Sequence, residues 1–497
     1  MPQGLNFDEL HVVSDLHLGG TPGFQIFDAG AELAWLADQV AASSAPGLAA
    51  LVINGDFIDF LAEAPALAFD PQGATAKIDR VMGDPAFAPV FAALRGLLAQ
   101  PNRRLVVNLG NHDLELALPW VRRHLAARLA DDDAARSRLL LVTDGTGLAC
   151  QVGPARVLCL HGNEVDSWNV TDFERVRRIG RDLQCGQAPE PWTPNAGSQL
   201  VVEVMNQIKA SYPFVDLLKP ETEAVVPILA ALNPALLRRL QDLVGIGRRK
   251  AVDAARMASG FLDASATAGA APGEAEPWAV PAPGQSAMRR RKLLDQAEQA
   301  VRTGTDPMSL LRGQAGEQLG VWGATWDWLT NKPRDQVLRE ALEFLDKDQS
   351  FDPFVADDTF KGIDKLVAPD VDLVVTGHTH LERSLPRQRG SGHYFNSGTW
   401  AALMRITPEV RQDAQRFAQL FALLDGSPLP ALRAGLPDLV LSRRTVVRIR
   451  RVDANRTQAD LCHVSTEGGV TRIVPLDRAG RSIETRRPAS PPPGQTA

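Results

Sequence analysis

Five short apolar runs in this chain stop at the same kinds of residue. His11-Val12-Val13-Ser14 leads into Asp15-Leu16-His17, and Leu51-Val52-Ile53 leads into Asn54-Gly55-Asp56-Phe57-Ile58-Asp59. Leu105-Val106-Val107-Asn108-Leu109 leads into Gly110-Asn111-His112-Asp113, and Val157-Leu158-Cys159-Leu160 into His161. Leu373-Val374-Val375 leads into Thr376-Gly377-His378-Thr379-His380. A continuous apolar run of this length reads as a strand buried on both faces, as parallel strands are. Asp, Asn and His collected at the carboxyl ends of such strands mark the edge where open α/β sheets place their chemistry. In an extended segment, residues two apart share a face, so Asp15 and His17 are expected to reach one metal ion.

The rest of the chain sets the frame around those runs. Helical spacing over 29–42, 86–99 and 119–129 alternates with the strands through about residue 160, which predicts an α/β layer protein. Residues 142–150 and 156–160 read as adjacent strands turned at Gly153-Pro154. From about 172 to 346 the pattern is almost entirely helical, with amphipathic segments at 199–210, 225–243 and 250–262. An Ala/Gly/Pro-rich stretch, 263–287, reads as a flexible loop inside this insertion. It is followed by Arg289-Arg290-Arg291-Lys292, a solvated helix start or an anion-binding patch. Trp322, Trp326 and Trp328 lie close together, the first two on one helix face. Strand character returns at 371–376 and 393–396, the latter running into Ser397-Gly398-Thr399-Trp400. A helical interruption at 408–424 precedes a closing hairpin, 444–451 with 457–464. The expected organisation is therefore a core in two parts, 1–165 and 351–483, a helical insertion over 166–350, and a disordered tail over 484–497.

Composition excludes several classes. The chain has 497 residues, 44% hydrophobic and 23% charged, as an ordinary globular protein does. A net charge of −6 gives no dedicated nucleic-acid surface, so a nuclease with a basic, aromatic-lined cleft is disfavoured. Four cysteines without CxxC spacing argue against a disulfide scaffold or zinc knuckle and fit a reducing compartment. No stretch reads as a signal peptide or membrane span, so the expectation is a cytoplasmic protein, with peripheral membrane contact left open.

Taken in order, the five blocks are similar to the signature of the calcineurin-like metallophosphoesterases: Asp15-x-His17, Gly55-Asp56-x-x-Asp59, Gly110-Asn111-His112-Asp113, His161 and Gly377-His378-x-His380. The resemblance covers roughly 8–165 and 365–465 and leaves the insertion outside. It implies a four-layer sandwich, two central β-sheets flanked by helices, carrying a large helical insertion. It also implies two divalent ions. Asp15, His17 and His380 would hold one, and Asn111, His161 and His378 the other, with Asp56 bridging. His112 would donate a proton to the leaving oxygen, oriented by Asp113, and Asp59 would support ligand orientation. Carboxylate, amide and imidazole ligands suit Mn, Fe, Zn or Co, with Mn the first expectation. Two such ions ~3.5–4 Å apart hold a hydroxide between them and clamp both ends of an in-line displacement at phosphorus.

The function this implies is hydrolysis of a phosphoester or pyrophosphate bond. Two departures bear on the substrate. Phe60 stands where many phosphatases of the family carry a phosphate-binding Arg, and Gly162-Asn163-Glu164 follows His161 where relatives often have a second His or an Asp. An apolar residue at that first place, together with the Ser-Gly-Thr-Trp block, resembles bacterial UDP-diacylglucosamine pyrophosphatases, although their insertion is shorter. The expected partner is a phosphorylated small-molecule or lipid-linked substrate. The competing reading is an inactive scaffold of the same fold that binds partners through the insertion. Dead relatives lose several ligands, and this chain keeps them all.

Overall fold

The computed structural model describes residues 5–219, 228, 232–233, 333–343, 348–425 and 427–476, with the backbone of 483–486. Trp322, Trp326, Trp328, the 263–287 loop, Arg289 to Lys292, the helix expected over 250–262 and most of that over 225–243 lie outside the described residues.

All five apolar runs are strands. In chain order the strands are β1 (Leu5–Phe7), β2 (Glu9–Val13), β3 (Ala49–Asn54), β4 (Arg103–Asn108), β5 (Leu139–Val142), β6 (Leu148–Val152), β7 (Ala155–Cys159), β8 (Leu373–Thr376), β9 (Arg383–Pro386) and β10 (His393–Asn396). They continue with β11 (Leu403–Met404), β12 (Val440–Leu441), β13 (Thr445–Arg451), β14 (Arg456–Glu467), β15 (Val470–Pro475) and β16 (Ile483–Arg486). One sheet runs β15-β14-β13-β2-β3-β4-β5, with β16 also on β14, and the other runs β1-β6-β7-β8-β10-β9. Strands β2 to β5 are parallel to one another, and so are β7, β8 and β10.

Alternation along each strand explains the layering, because successive side chains face opposite sides of a sheet. On the first sheet Leu10, Val12, Ala50, Val52 and Val106 meet Cys150, Val157, Cys159, Leu373, Val375 and Phe395 of the second. The intervening residues Val13, Leu51, Ile53, Leu105 and Val107 face outward onto the helices Gly30–Ala41, Ala74–Gly83, Ala88–Ala99 and Pro119–Leu129. The outer face of the second sheet, with Val374 and Tyr394, is covered by Asp358–Leu366. Two large sheets flanked by helices are the expected four layers. Each fully buried Val, Leu or Phe contributes about 1.5–3 kcal/mol.

Three local readings change. Residues 142–150 are not one strand: Leu139–Val142 pairs in parallel with β4, and a turn through Gly145 and Gly147 separates it from β6. The helix Ala74–Gly83, unmarked in the sequence pattern, carries a fully buried Lys77 whose ammonium reaches Asp70 at 3.2 Å and the Phe60 carbonyl at 3.2 Å. Residues 484–486, read as disordered tail, form strand β16 against β14.

The described part of the insertion holds a helix, Phe173–Gln184, then a continuous helical run, and near its end the helix Arg334–Ala341. That run comprises Ala196–Leu200, a wider turn at Val201–Met205, and Asn206–Ser211. Val204, Met205, Ile208, Phe214, Leu217, Val337 and Leu338 do not form a core of their own. They pack with Met404, Val410, Phe417, Leu420, Leu429, Leu432 and Leu439. The helical interruption after β11 thus shares one apolar body with the insertion, although a boundary at 351 groups it with the sandwich. Arg339, from the insertion, stacks its guanidinium 4.2 Å from the Phe417 ring centre, across that joint.

Candidate metal centre

The five polar strand ends fall together because β2, β3 and β4 of one sheet and β7 and β8 of the other finish at the same edge. Two buried asparagines stitch the sheets there. The Asn54 amide donates to the Leu160 carbonyl at 2.6 Å, and the Asn108 amide donates to the Asn54 side chain at 2.7 Å and the Cys159 carbonyl at 3.1 Å. The Ser397-Gly398-Thr399-Trp400 block braces the first loop. The Thr399 hydroxyl donates to the Asp15 carbonyl at 2.7 Å, and Ser397 donates to Ser14 at 2.8 Å. None of these four supports was read as functional. Each is polar at a strand end, but its partner is distant in sequence.

Past the strand ends the backbone leaves extended geometry. Asp15, His17, Asp56, His378 and His380 all have positive φ, from 48° to 71°. That region costs a non-glycine residue about 1–2 kcal/mol, and the loops hold it by mutual hydrogen bonds. The N–H groups of Leu16 and His17 both donate to the Asp56 carbonyl at 2.9 Å, and the His378 N–H donates to the Asp15 carboxylate at 2.9 Å. Asp15 and His17 do converge, but through left-handed turns after β2 and not through the two-residue period of a strand. Gly110 is glycine because a Cβ there would collide with the Asp56 carboxylate and backbone nitrogen.

The side chains meet in overlapping groups. Asp15, His17 and His380 present ligand atoms within 4.8 Å of one another, as do Asp15, Asp56 and His161. His17 Nε2 faces His380 Nε2 at 3.0 Å, and His380 Nε2 lies 3.4 Å from Asp15 Oδ1. Asp56 Oδ2 stands between the groups, 3.7 Å from His17 Nε2 and 3.3 Å from His161 Nε2. Asn111 lies between Gly110, packed on Asp56, and His112, whose N–H donates to Asp56 Oδ1 at 2.9 Å. The rings of His161 and His378 are 5.3 Å apart. All ten residues named from the motifs lie at this edge.

His112 corrects one expectation. Its Nδ1 pairs with Asp59 Oδ1 at 3.0 Å, while His17 Nδ1 takes Asp59 Oδ2 at 3.2 Å, so one carboxylate holds both rings. Asp113 does not orient His112. It is fully buried and accepts the N–H groups of Gly110 at 2.7 Å and Phe57 at 2.8 Å, fixing the loops that carry Asn111 and Asp56. Sequence reading also missed Asp166, whose carboxylate lies 2.8 Å from His378 Nε2 across 212 residues of chain.

The electrostatics are those of a cation site. Burial pushes the carboxyls of Asp56 and Asp59 up, but the surrounding imidazoles outweigh it and hold both well below the usual range. Burial lowers His161, while Asp56, Asp15 and the Asn54 carbonyl together raise it to about 10. Burial lowers His112 as well, and Asp59 with Asp56 raises it to about 9. Burial, Lys219 and His17 drive His380 well down. Among the described residues Asn111 Oδ1 is buried with no hydrogen-bond donor, and two imidazole nitrogens face each other across 3.0 Å. Carboxylate, amide and imidazole atoms gathered in this way fit borderline divalent ions.

A two-sheet sandwich flanked by helices, with a His/Asp cluster at its strand ends, is consistent with the metallophosphoesterase fold. Residues 10–208 match the family model of the calcineurin-like phosphoesterases, and that match supports the family for this chain. It spans Asp15, His17, Asp56, Asp59, Asn111, His112, Asp113 and His161, while His378 and His380 fall beyond it. No curated protein and no solved structure matches the chain. Among the described residues no single helix is long and apolar enough to cross a membrane.

Proposed function

We propose that the protein is a dinuclear metal-dependent hydrolase of a phosphoester or pyrophosphate bond. The observation that carries this reading is Asp56, with one carboxylate oxygen between His17 and His161, each belonging to a different ligand group. Asp15, His17 and His380 would hold one ion and Asn111, His161 and His378 the other, with Asp56 shared. When bound, divalent ions supply a water of lowered pKa and neutralise charge building on the phosphoryl oxygens. The protein's own part is placement. Asp59 fixes the tautomer of His112 by taking its Nδ1–H, which leaves the protonated ring to donate from Nε2 to the leaving oxygen. Ions bound beside it would oppose the upward shift that Asp59 and Asp56 give His112.

The insertion sits as a cap. Asn206 donates to the Leu61 carbonyl at 3.0 Å, two residues from Asp59, and Lys209 follows one turn later. A helical body anchored at this edge is suited to an apolar or lipid-linked group beyond the phosphate, as in the pyrophosphatase likeness. With Phe60 fully buried at the place of the family's Arg, phosphate binding rests on the metals and on cap residues. The test is turnover of p-nitrophenyl phosphate, its bis-ester and nucleotide-linked pyrophosphates by metal-free protein before and after Mn addition. Activity indifferent to Mn, Fe, Zn and Co alike would sink the reading.

A further inference from the structure

The turn just after β7 touches all three residues assigned to the second ion. The Glu164 carboxylate accepts the N–H of His161 at 3.3 Å and of Gly162 at 2.7 Å, which pins the backbone that presents His161. The Asn169 side-chain oxygen faces the Asn111 amide nitrogen at 3.5 Å. Asp166 Oδ2 meets His378 Nε2 at 2.8 Å. Asp166 is itself held before it meets the ring: Oδ1 accepts the Trp168 N–H at 2.9 Å, and Oδ2 accepts the Asn169 amide at 2.7 Å. An ionised carboxylate can only accept, so His378 donates from Nε2 and its lone pair is fixed on Nδ1.

The same turn is tied to the cap. The Trp168 ring packs against the apolar body shared by the insertion and the 402–441 segment. The Trp168 carbonyl accepts the Gly197 N–H at 2.9 Å, and the Asn195 amide donates to the Asn169 carbonyl at 3.2 Å. Two residues along the chain from a carboxylate on a candidate ligand, then, is an aromatic ring seated in the cap.

We propose that Asp166 is a positioning residue that holds the His378 ring for the second ion, and that Trp168 makes the affinity of that ion depend on how the cap is packed. The inference rests on the metallophosphoesterase reading and names a control that reading lacks. A carboxylate behind a ligating imidazole raises its basicity and fixes its orientation, and losing it costs about 10–100-fold in metal affinity. A group that acts through the cap should cost less, roughly 2–30-fold.

The experiment is a calorimetric titration of the metal-free full chain with Mn²⁺ alone, with metal content measured after desalting and folding followed by circular dichroism. Wild type should bind in two steps. Asp166→Asn, nearly isosteric, should weaken one step by about 10–100-fold and leave the other unchanged, and Asp166→Glu, which keeps the carboxylate, should recover part of the loss. Trp168→Ala should weaken that same step by the smaller factor, although it touches no ligand. Two full-strength steps in Asp166→Asn, or equal weakening of both together with a lower melting temperature, would overturn the positioning role. An unchanged Trp168→Ala would overturn the link to the cap. If wild type itself bound no Mn²⁺, the metal reading would fall first, and that result is distinct from either of the others.

Discussion

At the strand ends, five candidate ligands hold positive φ, their carboxylates and amides are cross-braced, and several glycines leave no room for a methyl group. In the apolar body that the insertion shares with the 402–441 segment, none of the buried core residues among the described residues has a positive φ, and the body is filled by Leu, Val, Ile, Met, Phe, Tyr and one Ala. The first kind of construction fixes atoms at the cost of local strain. The second tolerates volume-conserving exchange. A chain organised this way separates a part whose atoms are fixed from a part whose packing can be exchanged.

The sharpest way to break this contrast is Asp56→Ala. Both ions should be lost, and turnover should fall by roughly 10³-fold or more. Full metal occupancy in this variant would remove Asp56 from its shared position. His112→Ala should keep its metal and lose about 10²–10⁴-fold in rate. The loss should be smallest for esters with good leaving groups, which need little protonation, and a uniform loss would assign His112 to binding instead.

Phe417→Ala tests the apolar body. The ring is buried and stacked under Arg339, so its removal should cost about 3–5 kcal/mol in denaturant unfolding. Binding of the first ion, through Asp15, His17 and His380, should be unaffected. If that binding fell in parallel with stability, the apolar body and the centre would be one unit and the contrast would fail.

The smallest effect lies at the start of β10. Burial pulls His393 down to about 4. The unfolded chain takes up that proton from about pH 6.5, so the stability is complete above that pH and drains away as the pH falls toward 4. His393→Asn should therefore flatten the decline between pH 7 and pH 5 by roughly 2 kcal/mol, read from urea midpoints.

The gathering of these ten residues at one edge was legible because each follows an apolar strand, where apolar runs and polar termini are both visible in one dimension. The route by which Asp15 and His17 meet was not, since left-handed turns leave no periodic trace. The partner of His112 was misread for a related reason. Asp113 is adjacent in sequence, but its carboxylate turns back to backbone N–H groups, and only the fold brings Asp59 to the ring. The helical stretch expected over 408–424 is two helices, Pro408–Gln412 and Ala414–Leu424, and that break was readable in principle, since the Asp413 side chain accepts the N–H groups of Gln415 and Arg416. The shared cap core was not, because amphipathic periodicity says which face is apolar and nothing about what covers it.

That shared core also governs how the chain can be divided. Excising the insertion would leave Phe417, Leu420, Leu429 and Leu432 without their cover, and excising the 402–441 segment would do the same to Ile208, Phe214 and Leu338. Either cut exposes a contiguous apolar face of the kind that drives self-association. The two segments behave as a lock with two keys: a change that removes one half strands the other, and a transplant of this body has to carry both.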